Sequence, residues 1–225
     1  DTTVRFNGAF NVNLKLTDWW DITGRAGIDR YTTDSYTYQA PGGAVKTMYQ
    51  KGTLSKGDVN YQYLSGQFLS NMQKKFGDFD FGLLIGASTE DTKRVNQQHW
   101  GYEFLSEGTI SFKNMSTDKQ YFSDATTRKR LVGVFGEFSA SYKSLAYLTV
   151  TGRNDGSSTL PTENRSYFYP SVSGSFVFTE LMPESNILSF GKLRGSWARV
   201  GKDADPYSLN TYLWPVATLN GGIYG

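Results

Sequence analysis

The chain has 225 residues, a formal net charge of +2 from 23 basic and 21 acidic side chains, and no cysteine. A balanced charge gives no support for a nucleic-acid partner, the lack of cysteine excludes disulfide frameworks and thiolate metal sites, and no apolar run approaches the length of a transmembrane helix. Aromatic residues make up 16% and apolar residues 38% of the chain. Soluble proteins and membrane β-barrels share such a composition, because half of every barrel strand is polar.

The chain begins with its cleanest alternation. From Val4 to Leu16 the even positions are apolar or Gly, and nearly all the odd positions are polar. Because strand side chains alternate with period two, this pattern predicts a strand with one apolar face. Thr17-Asp18 is a very short connection, and residues 20–28 continue the alternation, so the two segments are predicted to form a hairpin. Trp19 and Trp20 beside this turn suit either an aromatic girdle at a membrane interface or an ordinary hydrophobic corner.

Two long connections are predicted in the first half of the chain. Residues 32–56 show no sustained period and are predicted to form a loop. The strands near Asn60–Lys74 and Phe79–Ala87 flank a tight turn at Phe76-Gly77-Asp78. Residues 91–127 form the second long connection, and loops of this length are usually functional or disordered. It carries the only histidine, His99, which we expect to be solvent-exposed and too isolated to serve a metal site.

Four more strands are predicted in the second half, near Arg130–Tyr142, residues 145–153, residues 168–178 and Leu188–Val200. The total is about eight long strands in four hairpins, whose connections alternate between short and long. Outer-membrane barrels show this asymmetry, with short periplasmic turns and long extracellular loops. The turns near residues 17, 77, 144 and 183 are therefore predicted to be periplasmic. The loops 32–56, 91–127, 154–165 and the segment after 201 are predicted to be extracellular.

Strand length supports the same fold. The arms run for about ten residues, whereas globular strands usually run for five or six, and a tilted strand that spans the hydrocarbon needs roughly 9–11. Arg25, Glu137 and Arg194 share the parity opposite to the apolar residues, as expected where a lipid-facing charge costs roughly 2–4 kcal/mol. The predicted fold class is all-β, a segment of an antiparallel transmembrane β-barrel.

Three stretches of the second half resemble a known family: YLTVTGRNDGSSTLP, SYFYPSVSGSFVFTEL and LSFGKLRGSWARVGKDADPY. They resemble the C-terminal half of the SusC-like TonB-dependent transporters of Bacteroidota outer membranes. The chain departs from many relatives at Gly156, where they carry an aromatic residue. The resemblance implies that residues 1–225 are part of a single transmembrane β-barrel domain, whose plug domain and closing strands lie outside this chain. We expect both ends to be cuts within a longer polypeptide.

The resemblance also implies a function. The complete protein would be a nutrient importer of the bacterial outer membrane, embedded in outer-membrane lipid, which moves glycans or oligopeptides. A SusD-like surface lipoprotein would cover the extracellular opening of the barrel, and periplasmic TonB would act through the plug. No enzymatic activity and no cofactor are expected. Two alternatives stay open: an independent small outer-membrane barrel and a soluble carbohydrate-binding β-sandwich.

Five residues are the candidate ligand or plug contacts. Arg153 and Asp155 lie in a polar run that either faces the lumen or supplies the turn at a strand end. Arg194 has the luminal parity of its strand. Trp100 and Tyr102, together with Tyr121 and Phe122, either stack on sugar rings or hold a peptide, or the aromatic-rich loop that carries them folds on itself or docks on a partner. No catalytic or metal-ligating set is predicted.

Overall fold

The chain folds into one antiparallel sheet of eight strands that lie side by side in chain order. The computed structural model describes residues 1–42, 49–161, 163, 165–182, 188–201, 206, 216–217 and 223–224. The strands of the sheet are β1 (Thr2–Thr17), β2 (Trp20–Gln39), β3 (Thr53–Phe76), β4 (Phe79–Tyr102), β5 (Gln120–Tyr142), β6 (Ala146–Ser157), β7 (Ser166–Phe176) and β8 (Leu193–Ala198). A separate ribbon joins β9 (Val216–Ala217) to β10 (Ile223–Tyr224). Short 3₁₀ helices span Phe112–Asn114, Thr117–Lys119 and Phe178–Leu181.

The predicted short turns are confirmed where the structure describes them. Gly77 has a φ of 60°, and Lys143 and Ser144 have φ values of 46° and 58°. Positive φ at two successive residues is the geometry of the tight hairpin turns that match strand twist. We call the end of the sheet that holds these turns the turn end and the opposite end the loop end. The predicted turn near residue 183 and most of the segment after 201 lie outside the described residues.

Four predicted segments have the wrong bounds, and one of them is the loop 154–165, since β6 continues to Ser157. The stretches 32–56 and 91–127 are not wholly loops, because β2 continues to Gln39 and β3 begins at Thr53, while β4 continues to Tyr102 and β5 begins at Gln120. The true connections are residues 40–52 and 103–119. The last predicted strand, Leu188–Val200, is shorter than expected, since β8 spans Leu193–Ala198 only.

The register gives the sheet two chemically distinct faces. Residues that pair directly across antiparallel strands point to the same side, and the pairing joins Gly24 to Phe68 and Phe68 to Ala87. Every apolar position predicted to face lipid falls on this one side. We call it the outer face and the opposite side the inner face. Arg25, Glu137 and Arg194 all lie on the inner face, so the parity predicted for these charges is confirmed by the pairing.

The sheet has almost no hydrophobic core. Among the described residues only four apolar side chains are buried: Leu54, Tyr102, Met115 and Val177. The large apolar side chains of the outer face are exposed instead, such as Phe10 at 67%, Phe68 at 50% and Val134 at 54%. The described strands form one eight-stranded sheet and a short ribbon, and not the two packed sheets of the alternative β-sandwich.

The sheet is open at both edges. β1 pairs only with β2 and β8 only with β7, and the described residues show no pairing between β1 and β8. The independent small barrel would require that closure, which is not seen among the described residues.

No helix of the described residues is both long enough and apolar enough to cross a membrane.

Candidate functional site

The inner face carries all five candidate contacts, at well separated heights. Arg153 and Asp155 sit on β6 near the middle of the sheet. Arg194 on β8 belongs to the register row of Ser175 and Tyr147, about 20 Å closer to the turn end than Arg153. Trp100 lies at the loop end, about 45 Å above the row of Arg153 along the strands. The candidates are therefore three separate groups and do not form one pocket.

Arg153 and Asp155 bind to each other and to the wall. The Nε of Arg153 lies 2.8 Å from the Asp155 carboxylate, and its Nη2 donates to Ser88 Oγ at 3.1 Å. The guanidinium also lies over the ring of Phe135, 5.0 Å from its centroid. These contacts spread the Arg153 side chain across three strands, so that the sheet itself fixes its position. The prediction that this run supplies a turn is wrong for Arg153 and Asp155, because both residues pair with β5 and β7 as part of β6, which continues to Ser157.

Two glycines that were not predicted as functional make room for this group. A Cβ on Gly133 would clash with Asp155 Oδ1 and lie 2.7 Å from Arg153 Nη2, and one on Gly86 would clash with the ring of Phe135. Both glycines therefore allow large side chains of neighbouring strands to lie flat on the inner face. The sequence already shows a glycine on the inner face of a strand at Gly133 and at Gly86. Only the register of the sheet shows which side chains fill the space that each glycine leaves.

Three aromatic side chains form a stack on the inner face at the loop end. Trp100 stacks on Tyr121 with ring centroids 4.7 Å apart, and Tyr102 stacks on both rings at 5.7 and 6.1 Å. Tyr49 packs edge-on against Tyr102 at 6.3 Å. Tyr121 is 44% exposed, whereas Tyr102 is only 8% exposed. The stack therefore offers a flat aromatic surface, and Tyr102 supports it from behind.

The phenol of Tyr102 is held in its protonated form. Its hydroxyl lies 3.5 Å from that of Tyr121, and this hydrogen bond, followed by burial, raises the pKa of Tyr102 to about 12. A protonated phenol suits the recognition of a polar, uncharged group such as a sugar hydroxyl or a peptide amide.

Phe122 and His99 lie on the outer face, away from this stack. The His99 ring is held between Phe112 and Phe122, with centroid distances of 3.5 and 3.9 Å, and its Nε2 lies 3.0 Å from Gln120 Oε1. The expectation of a solvent-exposed histidine in a loop is therefore wrong, because His99 is a half-buried residue of β4. Phe122 cannot act together with Trp100 on one ligand.

The connection 103–119 folds down onto the outer face at the loop end. Phe104 bridges to Met115, and its ring packs against Tyr38 at 5.9 Å. The side chain of Asn114 organises the connection, since it bonds to Ser106 and to the carbonyl of Thr109. This segment covers the top of the outer face and leaves the aromatic stack of the inner face accessible. Within the described ranges no group of three His, Asp or Glu side chains is placed to hold a metal ion.

The comparisons with known proteins agree with this architecture. No protein-family model matches the chain. The chain is 26% identical over 96% of its length to TonB-dependent receptor P26 of Formosa agariphila, of which it covers 23%. It matches the structure of the RagAB peptide transporter with a TM-score of 0.82 at 17% identity, over 98% of this chain and 26% of that one. The RagAB peptide importer in its "open-open" state gives a TM-score of 0.76 at 18% identity.

These relatives are much longer than the chain, which spans about a quarter of their length. The structural matches show the same fold at low identity, and the receptor of Formosa agariphila adds a similarity of sequence. Together they confirm the resemblance to the SusC-like TonB-dependent transporters that the motifs of the second half predicted.

Proposed function

We propose that this chain forms eight adjacent strands in the wall of an outer-membrane nutrient importer. It resembles the SusC-like TonB-dependent transporters in sequence and fold. In this proposal residues 1–225 belong to a single transmembrane β-barrel domain. One observation carries the proposal: the register joins the apolar positions of β1 to β8 into one continuous band on the outer face, while the inner face is polar.

The height of the band fits a bilayer. On β4 it runs from Phe79 to Thr89, on β5 from Val132 to Ala140, and on β7 from Phe168 to Phe176. These lengths of about ten residues match the 9–11 that a tilted strand needs to cross the hydrocarbon. Near the turn end, Trp19 stacks on Trp20, and Lys74 Nζ lies 5.3 Å from the Trp19 ring centroid. Such pairs of aromatic and basic side chains are typical of the membrane interface.

The open edges support a wall segment of a larger barrel. In hydrocarbon every unpaired backbone group costs several kcal/mol, so a sheet placed in a bilayer needs partners along both β1 and β8. Further strands of the complete protein would supply them. TonB-dependent receptor P26, of which this chain covers 23%, has ample length for such strands.

The inner face supports passage of a polar solute. It presents Arg25, Glu137 and the Arg153–Asp155 pair at membrane height, and the aromatic stack at the loop end. We propose that Trp100 and Tyr121 contact the solute as it enters, that Tyr102 supports them, and that Arg153, Asp155 and Arg194 contact the plug or the solute lower in the lumen.

The partners of the complete protein follow from the resemblance. A SusD-like lipoprotein would cover the loop end, and TonB would act on the plug from the periplasm. The solute is a glycan or an oligopeptide, and the similarity to a protein named as a peptide transporter makes oligopeptides the first class to test. The activity is transport and not catalysis.

Cysteine labelling tests the membrane placement. The 225 residues contain no cysteine, so Phe68→Cys and Asp58→Cys each add one thiol to the same face of β3. With a membrane-impermeant maleimide on intact cells we expect Asp58→Cys to react and Phe68→Cys to stay unlabelled until the protein is unfolded. Equal labelling of both thiols would contradict the membrane placement.

Uptake tests the transport activity. Cells that lack the full-length gene should lose growth on, and uptake of, one class of nutrient when oligopeptides and glycans are supplied separately. Loss of TonB should give the same defect, and the wild-type gene should restore uptake. If uptake of both classes is unchanged in the deletion strain, the proposed transport function is wrong.

A further inference from the structure

A row of basic side chains crosses the outer face immediately above the apolar band. Arg30, Gln62, Lys93 and Arg128 are successive register partners on β2 to β5. The next row toward the turn end contains Ile28, Leu64, Asp91 and Arg130 in the same order. On each of these four strands the apolar band therefore ends at the height where this group of cations begins.

The change of chemistry along the outer face is ordered. The row above the cations is uncharged, with Thr32, Asn60, Val95 and Thr126. The row after that has three carboxylates, Asp34, Asp58 and Asp124. Positive charge is thus concentrated at the boundary of the band, and negative charge lies farther from it.

The boundary group keeps an excess of positive charge. Arg128 Nε lies 3.0 Å from Asp91 Oδ1, and Arg130 Nε lies 3.0 Å from Asp91 Oδ2. One carboxylate thus serves two guanidinium groups, whose side chains remain 46% and 55% exposed. These two groups lower the pKa of Asp91 to about 2, so this carboxylate is ionised at physiological pH. Arg30 and Lys93 are also exposed, which leaves four cations against one anion.

We propose that Arg30, Lys93, Arg128 and Arg130 bind the phosphate groups of outer-leaflet glycolipid. This inference rests on the proposed membrane placement of the apolar band. The band beneath the cations would contact the acyl chains, so the phosphates at the head of the same lipid would lie at the height of this row. Charge complementarity supports the assignment, and Arg128 and Arg130 present planar donors that suit phosphate oxygens.

The face on which the cations lie distinguishes this lipid from a soluble anion. All four side chains have the parity of Leu64 and Val132, and none lies on the inner face, where a transported solute would pass. The row covers about 14 Å from β2 to β5 at normal strand spacing, so several cations can meet one headgroup at the same time. A bound lipid would hold this part of the wall at a fixed height in the membrane.

The test uses the full-length protein with Arg30→Gln and Lys93→Gln combined. The Asp91 ion pairs stay intact in this double variant, and both positions are exposed. A matched control, Arg94→Gln with Lys129→Gln, removes two charges at the same height from the inner face. Binding of purified lipid A and of enzymatically dephosphorylated lipid A is measured by native mass spectrometry. Resistance to unfolding in detergent confirms that each variant is folded.

Each basic side chain near an anionic surface contributes about fivefold to binding. We therefore expect the double variant to bind lipid A about 25-fold more weakly and the control to bind like the wild type. Dephosphorylated lipid A should bind the wild type at least as weakly as lipid A binds the double variant, because it loses the contacts to all four cations. Unchanged binding by the double variant, or an equal loss in the control, would overturn the proposal. Displacement of lipid A by inorganic phosphate alone would also overturn it, because the site would then be one for a free anion.

The labelling experiment separates the two possible failures. If Phe68→Cys is labelled on intact cells, the membrane placement is wrong and the lipid site is wrong with it. If Phe68→Cys is protected and lipid A binding does not depend on Arg30 and Lys93, only the lipid site is wrong.

Discussion

The turn-end half and the loop-end half of the same strands differ in what covers their outer face. Near the turn end, Phe68, Ile85 and Val134 are 50%, 51% and 54% exposed, and no other part of the described chain packs on them. Near the loop end, Leu54 is 1% exposed, because the connection 103–119 folds over that part of the same face. β3 and β4 pass through both halves without a break in pairing.

This difference shows that backbone hydrogen bonding between strands does not depend on an alternation of apolar and polar side chains. The pairing of β3 with β4 is continuous from Phe76 to Thr53, but the alternation of apolar and polar residues is confined to the turn-end half. We infer that the bilayer supplies the missing cover in that half, whereas water contacts both faces above it. Four predictions test the comparison.

The largest effect is expected from a charge on the bare part of the outer face. Val150→Arg places a guanidinium at membrane height on β6 and should destabilise the barrel by about 2–4 kcal/mol. The control is Thr149→Arg, the adjacent inner-face position, which lines a recess of about 500 Å³ and should cost much less. Unfolding by urea from lipid vesicles measures both variants. Equal losses of stability in the two variants would mean that both faces contact the same solvent.

The second prediction concerns the tightest packing on the inner face. Gly133→Ala should force the Arg153–Asp155 pair away from the wall, because the new Cβ would lie 2.7 Å from Arg153 Nη2. The expected loss is about 1–3 kcal/mol, the usual cost of overpacking. Gly24→Ala is the matched control, since a Cβ there meets nothing within 4 Å. The same urea titration compares the two variants, and a similar stability for both would contradict the assigned role of Gly133.

A smaller, local effect is expected at the covered loop end. His99→Ala removes the ring held between Phe112 and Phe122, and each such aromatic contact contributes about 0.5–1.5 kcal/mol. The connection 103–119 should then be cleaved faster in limited proteolysis, while global unfolding changes little. Ile110→Ala alters the same connection at a residue that is 50% exposed and serves as the control. Unchanged cleavage after His99→Ala would show that this stack does not hold the connection.

The smallest expected effect is a change in the pKa of Tyr102. The pKa of Tyr102 is raised to about 12, so the neutral phenol favours the folded state, and the stabilisation is complete below the ordinary value near 10. It is lost as the pH rises from about 10 to 12. Tyr121→Phe removes the main cause and should move the pKa of Tyr102 toward 10, as followed by NMR of labelled tyrosine. A pKa that stays near 12 would mean that burial alone protects the phenol.

Sequence patterns predicted the turn-end half well and the loop-end half poorly, for a physical reason. Where one face contacts an apolar environment, the period of two is visible, as from Val4 to Leu16. In residues 32–39 and 91–102 both faces are polar, so the strand continues although the period disappears. Hydrogen bonding between backbones does not need an apolar face, and a loop was therefore predicted where the strands in fact extend.

The candidate contacts show the same division. The parity of Arg153 and Arg194 was readable from their strands, whereas Asp155 had been assigned to the predicted loop 154–165 and proved to lie in β6. The stacking of Trp100 on Tyr121 was not, because both residues had been assigned to a loop, and Phe122 was grouped with them although it lies on the opposite face.

The sequence by itself determined the strands at membrane height, the side on which their charges lie and the short turns, because these depend on local alternation and on turn residues. Only the tertiary structure decided how far the strands extend, which part of the outer face is covered, and which side chains from different strands meet at Gly133 and around His99. Those features depend on pairing between residues far apart in the chain, and local patterns do not contain that information.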